Sequence, residues 1–192
     1  MDQNMETFAR GPNFVYGKEY ILHVHGPQVW DSMCGRLPDW ARTEWQRQHL
    51  ASGEYSFGAF KQGVHALSDV AGDGSPDTLA RMYEHIADRS LSAIYKVFFR
   101  ATRPSFVIRN YPKLWSRFFT VGDVQVPVAE AGRARVEFTV PEAFLDWLPP
   151  ACLGFSRKAV HMAGGRDVAV TDAGVERRGD AHVACFDLAW RE

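Results

Sequence analysis

Near Gly122 the spacing of apolar residues changes from helical to alternating, and that switch divides the chain into two kinds of structure. Before it, apolar residues recur every three or four positions, as on one face of a helix. After it, Val124, Val126 and Val128 alternate with polar or turn residues, and so do Ala134, Val136, Phe138 and Val140. Alternation of period two marks a strand with one buried face. Helices first and strands afterwards predict an α+β fold with an antiparallel sheet, because parallel strands would need helices between them.

The helical part resolves further. Tyr20, Ile21 and Val24 predict one short helix, which Gly26-Pro27 interrupts, and Val29, Trp30, Met33, Cys34 and Leu37 predict a second, stopped by Pro38. Residues 38–55 read as irregular. Ser56 is positioned to cap a helix whose core face is Phe57, Phe60, Val64 and Leu67. The run AGDGSPDT at 71–78 reads as a loop, with Ser75 as N-cap and Pro76 at the first helical position. Leu79, Met82, Tyr83, Ile86, Ser90, Ile94, Val97 and Phe98 then hold one face and predict a long helix over 76–101. Pro104 starts a shorter helix and Pro112 restarts it, since proline removes an amide donor and clashes with the preceding turn. Residues 149–163 return to a helix ending at Gly164-Gly165. Two more strands follow, one through Val168 and Val170 and one through Ala184, Phe186, Leu188 and Trp190. The expected organisation is a flexible lead-in over 1–13 and a single α+β domain over 14–192, its sheet of about four strands carrying one inserted helix.

Composition narrows the function classes. The 192 residues carry a net charge of −1, which gives no electrostatic case for nucleic acid or an anionic membrane. No apolar run approaches the ~18 residues needed to insert in a bilayer. The N-terminal residues lack the apolar stretch of a signal peptide, so the expected location is cytoplasmic. Cys34, Cys152 and Cys185 are odd in number and far apart, which argues against a disulfide framework or a zinc site and for small buried apolar residues.

No catalytic motif emerges. His23 and His25 fall on opposite sides of a helix, so they do not converge on a metal. His161, just before Gly164, suits a helix C-terminus, where the dipole favours a cation. Gly154-Phe155-Ser156 resembles a nucleophile elbow, but Lys158 stands where that motif needs glycine. Asp69, Asp73, Gly74 and Asp77 lack the ligand spacing and closing glutamate of a calcium loop. The expectation is a non-enzymatic protein with no metal site. What stands out is aromatic density: Tyr95, Phe98, Phe99, Phe106, Tyr111, Trp115, Phe118 and Phe119 lie within about 25 residues. At helical spacing such rings fill a core or wall an apolar pocket. The pocket candidates are Tyr95, Phe98, Phe99, Trp115, Phe118 and Phe119. His85, on the long helix beside Arg81 and Asp88, reads as part of a solvated face, with an axial haem ligand as the alternative.

The segments RPSFVIRNYPKLWSRFFTVGDVQV, GRARVEF, LPPACLGFSRKAVHMAGGRDVAV and CFDLAW, in that order, resemble a bacterial domain family abundant in myxobacteria. That family is similar in turn to haem-NO-binding domains, to vinyl-4-reductase-type sensor domains and to one type of TRAPP vesicle-tethering subunit. The shared grammar is Pro112 to Trp115 on a helix, a strand led by Gly122, a helix carrying Pro150 and Cys152, and a last strand with Cys185, Phe186 and Trp190. The resemblance implies a helical layer over a small antiparallel sheet, with an apolar cavity between them. It implies a ligand-binding or sensory module that takes an apolar small molecule or acyl chain and relays to a protein partner or a second copy. The other readings are an interaction domain with a filled core and a haem-based gas sensor. The haem-binding branch of the resemblance carries Tyr-x-Ser-x-Arg after a proximal histidine, and no such motif occurs here. On that ground the sequence argues against haem.

Overall fold

The computed structural model describes residues 7–72, 76–100, 102–179 and 181–192, with backbone alone for 76 and 92–100. Strand β1 (Phe8–Arg10) leads into helix α1 (Gly11–Tyr20), which continues as one π-helical turn (Ile21–His25) and stops at Gly26. Helices α2 (Pro27–Arg36) and α3 (Asp39–Gln46) follow, then β2 (Glu54–Ser56) and α4 (Phe57–Ala71). The long α5 (Pro76–Arg100) is succeeded by the short α6 (Pro104–Arg109) and α7 (Tyr111–Trp115). Strands β3 (Asp123–Glu130) and β4 (Arg133–Val140) precede a 3-10 turn (Glu142–Phe144) and α8 (Leu148–Met162), and β5 (Arg166–Arg178) with β6 (Ala181–Arg191) closes the chain.

The strands form one antiparallel sheet of order β3-β4-β6-β5, and β1 pairs with β2 in a separate two-stranded ribbon. The alternation in β4 is that of a strand with one covered face: Ala134, Val136, Phe138 and Val140 are buried and the residues between them less so. β6, between β4 and β5, buries Val183 to Phe186 in an unbroken run, as a strand covered on both faces does. Gly122 starts the sheet at φ +85°, a left-handed conformation that costs glycine least.

Helix α8 lies against α5 on one side and β5 on the other. Gly154 makes this approach feasible, for a Cβ there would sit 1.9 Å from the Ala80 carbonyl oxygen. Ser56 caps α4, its Oγ accepting from the Ala59 amide at 3.3 Å. The core where helices meet sheet is a block of rings. Phe57 and Phe144 stack at 3.9 Å, and Trp147 meets Phe57, Tyr83, Phe119 and Phe144 at 5.1–5.7 Å between centroids.

The α+β class with a helical layer on a four-stranded antiparallel sheet and one inserted helix is as expected, with three corrections. Within the stretch read as a lead-in, Phe8–Arg10 pair with β2 and Gly11 to Asn13 open α1, with Ala9 wholly buried. Residues 38–55 contain α3, whose Trp45 is fully buried and donates to the Ala59 carbonyl at 2.8 Å. β5 continues to Arg178, well past the alternating Val168 and Val170, because hydrogen bonds to β6 carry it beyond the core. The Ser75 cap lies outside the described residues.

Candidate functional site

A cavity of about 50 Å³ lies where α5, α7, β4 and α8 converge. Tyr83 comes from α5, Tyr111, Leu114 and Trp115 from α7, Phe138 from β4, and Cys152, Phe155 and Ser156 from α8. Phe118 and Phe119 follow α7, and Trp147 precedes α8. Three of the six pocket candidates, Trp115, Phe118 and Phe119, therefore sit on this cavity. The side chains of Tyr95, Phe98 and Phe99 lie outside the described residues. Tyr83, Phe138, Trp147 and Phe155 were not among the candidates. Each belongs to a different element, so no local spacing could have grouped them with Trp115.

The polar atoms around the cavity are mostly spoken for. Tyr111 donates to Ser156 Oγ at 3.0 Å, and Cys152 Sγ lies 3.8 Å from the same oxygen. Trp115 Nε1 donates to the Val121 carbonyl at 2.8 Å. Tyr83 donates to Asn13 Oδ1 at 3.4 Å, and Asn13, fully buried, donates onward to the Phe118 carbonyl at 2.8 Å. This chain of bonds ties α1, α5 and the segment after α7 together. Burial pushes the Cys152 thiol up to about 12 and raises the Tyr83 and Tyr111 phenols above their usual value. None of the three ionises near neutral pH, so the cavity offers an apolar, uncharged environment. Trp147 Nε1 is the exception, a buried donor that makes no hydrogen bond of full geometry and acts only weakly on the Tyr83 hydroxyl.

His85 stands elsewhere, on the flank of α5 that faces α1. Its Nε2 is 3.5 Å from Glu19 Oε1, and its ring is 5.6 Å from Tyr20. His25, on the π-helical turn, meets the Tyr20 ring at 5.4 Å. Burial lowers the pKa of both histidines, which favours neutral imidazoles; His25 Nε2 is buried without a hydrogen bond, whereas His85 Nε2 faces the Glu19 carboxylate. They are competent metal ligands in protonation state, but neither lines the aromatic cavity. Among the described residues no group of three or more His, Cys, Asp or Glu side chains could hold a metal ion, and no helix is long and apolar enough to cross a membrane.

This architecture is the H-NOX fold. The H-NOX protein of K. algicida, unliganded in the Fe(II) state, is similar with a TM-score of 0.65 at 16% identity, over 95% of this chain and 97% of that one. An oxygen-binding H-NOX domain related to soluble guanylate cyclases, solved as its oxygen complex, has a TM-score of 0.68 at 9% identity over 95% of each chain. A third structure, from work on modulating haem redox potential by porphyrin distortion, has a TM-score of 0.69 at 8% identity over 95% of each chain. No protein-family model matches the chain. No curated protein matches it by sequence.

These structures overturn the expectation against haem, since domains of this fold include ones with iron and haem. The sequence argument tested one motif for gripping propionates, while the fold is set by packing that does not depend on that motif. Tested against the geometry, the described cavity lining supplies apolar walls and no histidine, and its Cys152, Tyr83 and Tyr111 groups are held protonated by burial and engaged with Ser156 or Asn13. Its volume is below the ~300–1,000 Å³ of pockets that enclose drug-sized ligands, so the rings as arranged leave no room for a porphyrin.

Proposed function

We propose that this chain is a ligand-binding sensory module, with haem the first ligand to test and the space between helices and sheet as its seat. The observation that carries the reading is a fold shared with H-NOX domains over 95% of the chain, with an aromatic-walled cavity at the helix–sheet junction. Receiving a porphyrin there requires the rings of Trp115 and Phe119 to move. A change in the packing of α7 and α8 would then be passed to a protein partner or a second copy of the chain. The experiment is reconstitution of purified protein with haemin, followed by absorption spectra before and after reduction. A Soret band that shifts on reduction and again on adding carbon monoxide is the expected result. A spectrum identical to that of free haemin overturns the haem reading. His85→Ala and His25→Ala then report whether either imidazole reaches the iron.

A second reading is favoured by the size and character of the cavity. A space of about 50 Å³ with apolar walls suits a small apolar molecule taken directly. Xenon or a short-chain hydrocarbon should then raise the unfolding temperature of the haem-free protein, and an unchanged temperature at saturation would count against it.

A further inference from the structure

The net charge of −1 hides an uneven distribution: residues 89–122 carry seven Lys or Arg and no Asp or Glu. Within that run, α6 and α7 follow one another through Asn110, whose amide donates to the Val107 carbonyl at 3.0 Å and whose carbonyl accepts from the Leu114 amide at 3.1 Å. Val107, Ile108, Tyr111, Leu114 and Phe118 recur at helical spacing and are buried, the last three on the wall of the aromatic cavity. Arg103, Phe106, Arg109, Lys113 and Arg117 recur between them at steps of three or four, and all five are exposed.

Cations on a helix face are stabilised by acids one turn away, and this stripe has none. No acid among the described residues pairs with Arg103, Arg109 or Lys113, and Arg109 donates instead to the Ala129 carbonyl. β3 packs beside α6 and α7 and carries Asp123 and Glu130, but Glu130 pairs with Arg133 at 2.7 Å and Asp123 accepts from Gln125 at 3.4 Å. Phe106 is 42% exposed among these cations. Four cations on an amphipathic helical face, with an aromatic ring between them, match a surface of lipid phosphates, where cations meet head groups and rings enter the interface. A single-stranded nucleic acid is held by several rings along a basic groove. Here one ring stands on the outer face of two short helices, which suits a flat partner.

We infer that the outer face of α6 and α7 docks on an anionic bilayer surface, with Arg103, Arg109, Lys113 and Arg117 on lipid phosphates and Phe106 in the head-group layer. The contact is peripheral and needs no spanning helix. The inference goes beyond the haem reading and is independent of it. Tyr111, Leu114 and Phe118 lie on the reverse of the same segment, so docking bears on the wall of the aromatic cavity.

The test is sedimentation of the full, haem-free chain with vesicles of phosphatidylcholine, with and without phosphatidylserine. The anionic vesicles should bind at least about tenfold more tightly, and salt at about 1 M, where screening acts within ~3 Å, should remove the difference. Each cation near an anionic surface contributes about fivefold in affinity, so the double variant Arg103→Gln/Lys113→Gln should weaken binding about twentyfold. Phe106→Ala should weaken it several-fold. Arg36→Gln/Arg81→Gln removes the same charge from exposed side chains elsewhere and should change binding by less than about twofold. Equal binding to both vesicles, binding to neither, or equal losses in the two double variants overturns the inference. Tighter binding of polyuridylate or polyglutamate than of anionic vesicles at equal charge overturns it too, and assigns the stripe to nucleic acid or to an acidic protein. Should Arg103→Gln/Lys113→Gln fail to fold, the lipid and salt comparisons in the unaltered chain and Lys113→Gln alone decide the matter. The result stands whether or not haemin gives a Soret band.

Discussion

The Tyr111 hydroxyl donates to Ser156 Oγ at 3.0 Å across 45 residues of sequence, joining α7 to α8 beside the aromatic cavity. Both groups are buried, so their bond is worth most when both are present. Tyr111→Phe or Ser156→Ala alone leaves a buried polar atom short of a partner and should lower stability by about 1–3 kcal/mol. The double variant should lose less than the sum of the two, and a double-mutant cycle by urea denaturation measures the difference. Strict additivity would mean that Tyr111 and Ser156 are not coupled.

Gly154→Ala should be among the most damaging small substitutions in the chain. The added methyl meets the Ala80 carbonyl at 1.9 Å, and a backbone atom cannot step aside as a flexible side chain does. Separating α5 from α8 should cost at least about 1–3 kcal/mol, the usual range for overpacking. Urea melts check this, and Gly35→Ala, where no atom lies within 4 Å, is the matched control.

Stability should fall as pH drops from 6.5 towards 4, through His49. Its side chain is 2% exposed and stacks on Phe14 at 4.5 Å, with Tyr55 edge-on at 4.6 Å. Burial, aided by the Arg47 and Lys18 charges, lowers its pKa from 6.5 to about 4. The folded state therefore disfavours the proton that the unfolded chain accepts. The stabilising effect is complete above 6.5 and is lost progressively as pH falls to about 4, by at most about 3 kcal/mol. Thermal melts across that range should show the slope, and His49→Phe should flatten it.

Phe119→Ala should cost about 3–5 kcal/mol, because the ring is buried among Phe57, Trp115, Phe144 and Trp147 and its loss leaves a void. The void joins the existing cavity, so benzene should bind and restore part of the lost stability. Melting curves with and without saturating benzene read this directly. No rescue would mean that the core collapses into the space.

Where a local pattern coincides with burial, the structure was legible in advance. Proline at 76 and 104, Ser56 as a cap and the alternation of Ala134, Val136, Phe138 and Val140 all act within one or two turns of chain. The errors lie where the deciding contact is distant. Phe8–Arg10 become a strand only by pairing with Glu54–Ser56, more than forty residues away. α3 is short and mostly polar, and it is held by Trp45 burying itself against α4. The far end of β5 shows no alternation because both of its faces are exposed, and only its ladder to β6 extends it.

The sequence by itself determined the order of helices and strands, the period of each, and a surplus of large rings around Pro112. Those properties follow from the spacing of apolar residues and from what proline and glycine do to a backbone within a few bonds. Only the tertiary structure decided which rings meet. It set Tyr83, Trp115, Phe138 and Trp147 around one cavity, turned His85 away from it towards Glu19, and left Arg103, Arg109, Lys113 and Arg117 exposed along the outer face of α6 and α7. The physical reason is that packing and polar satisfaction are sums over neighbours from distant parts of the chain, and those neighbours exist only once the helices have closed on the sheet.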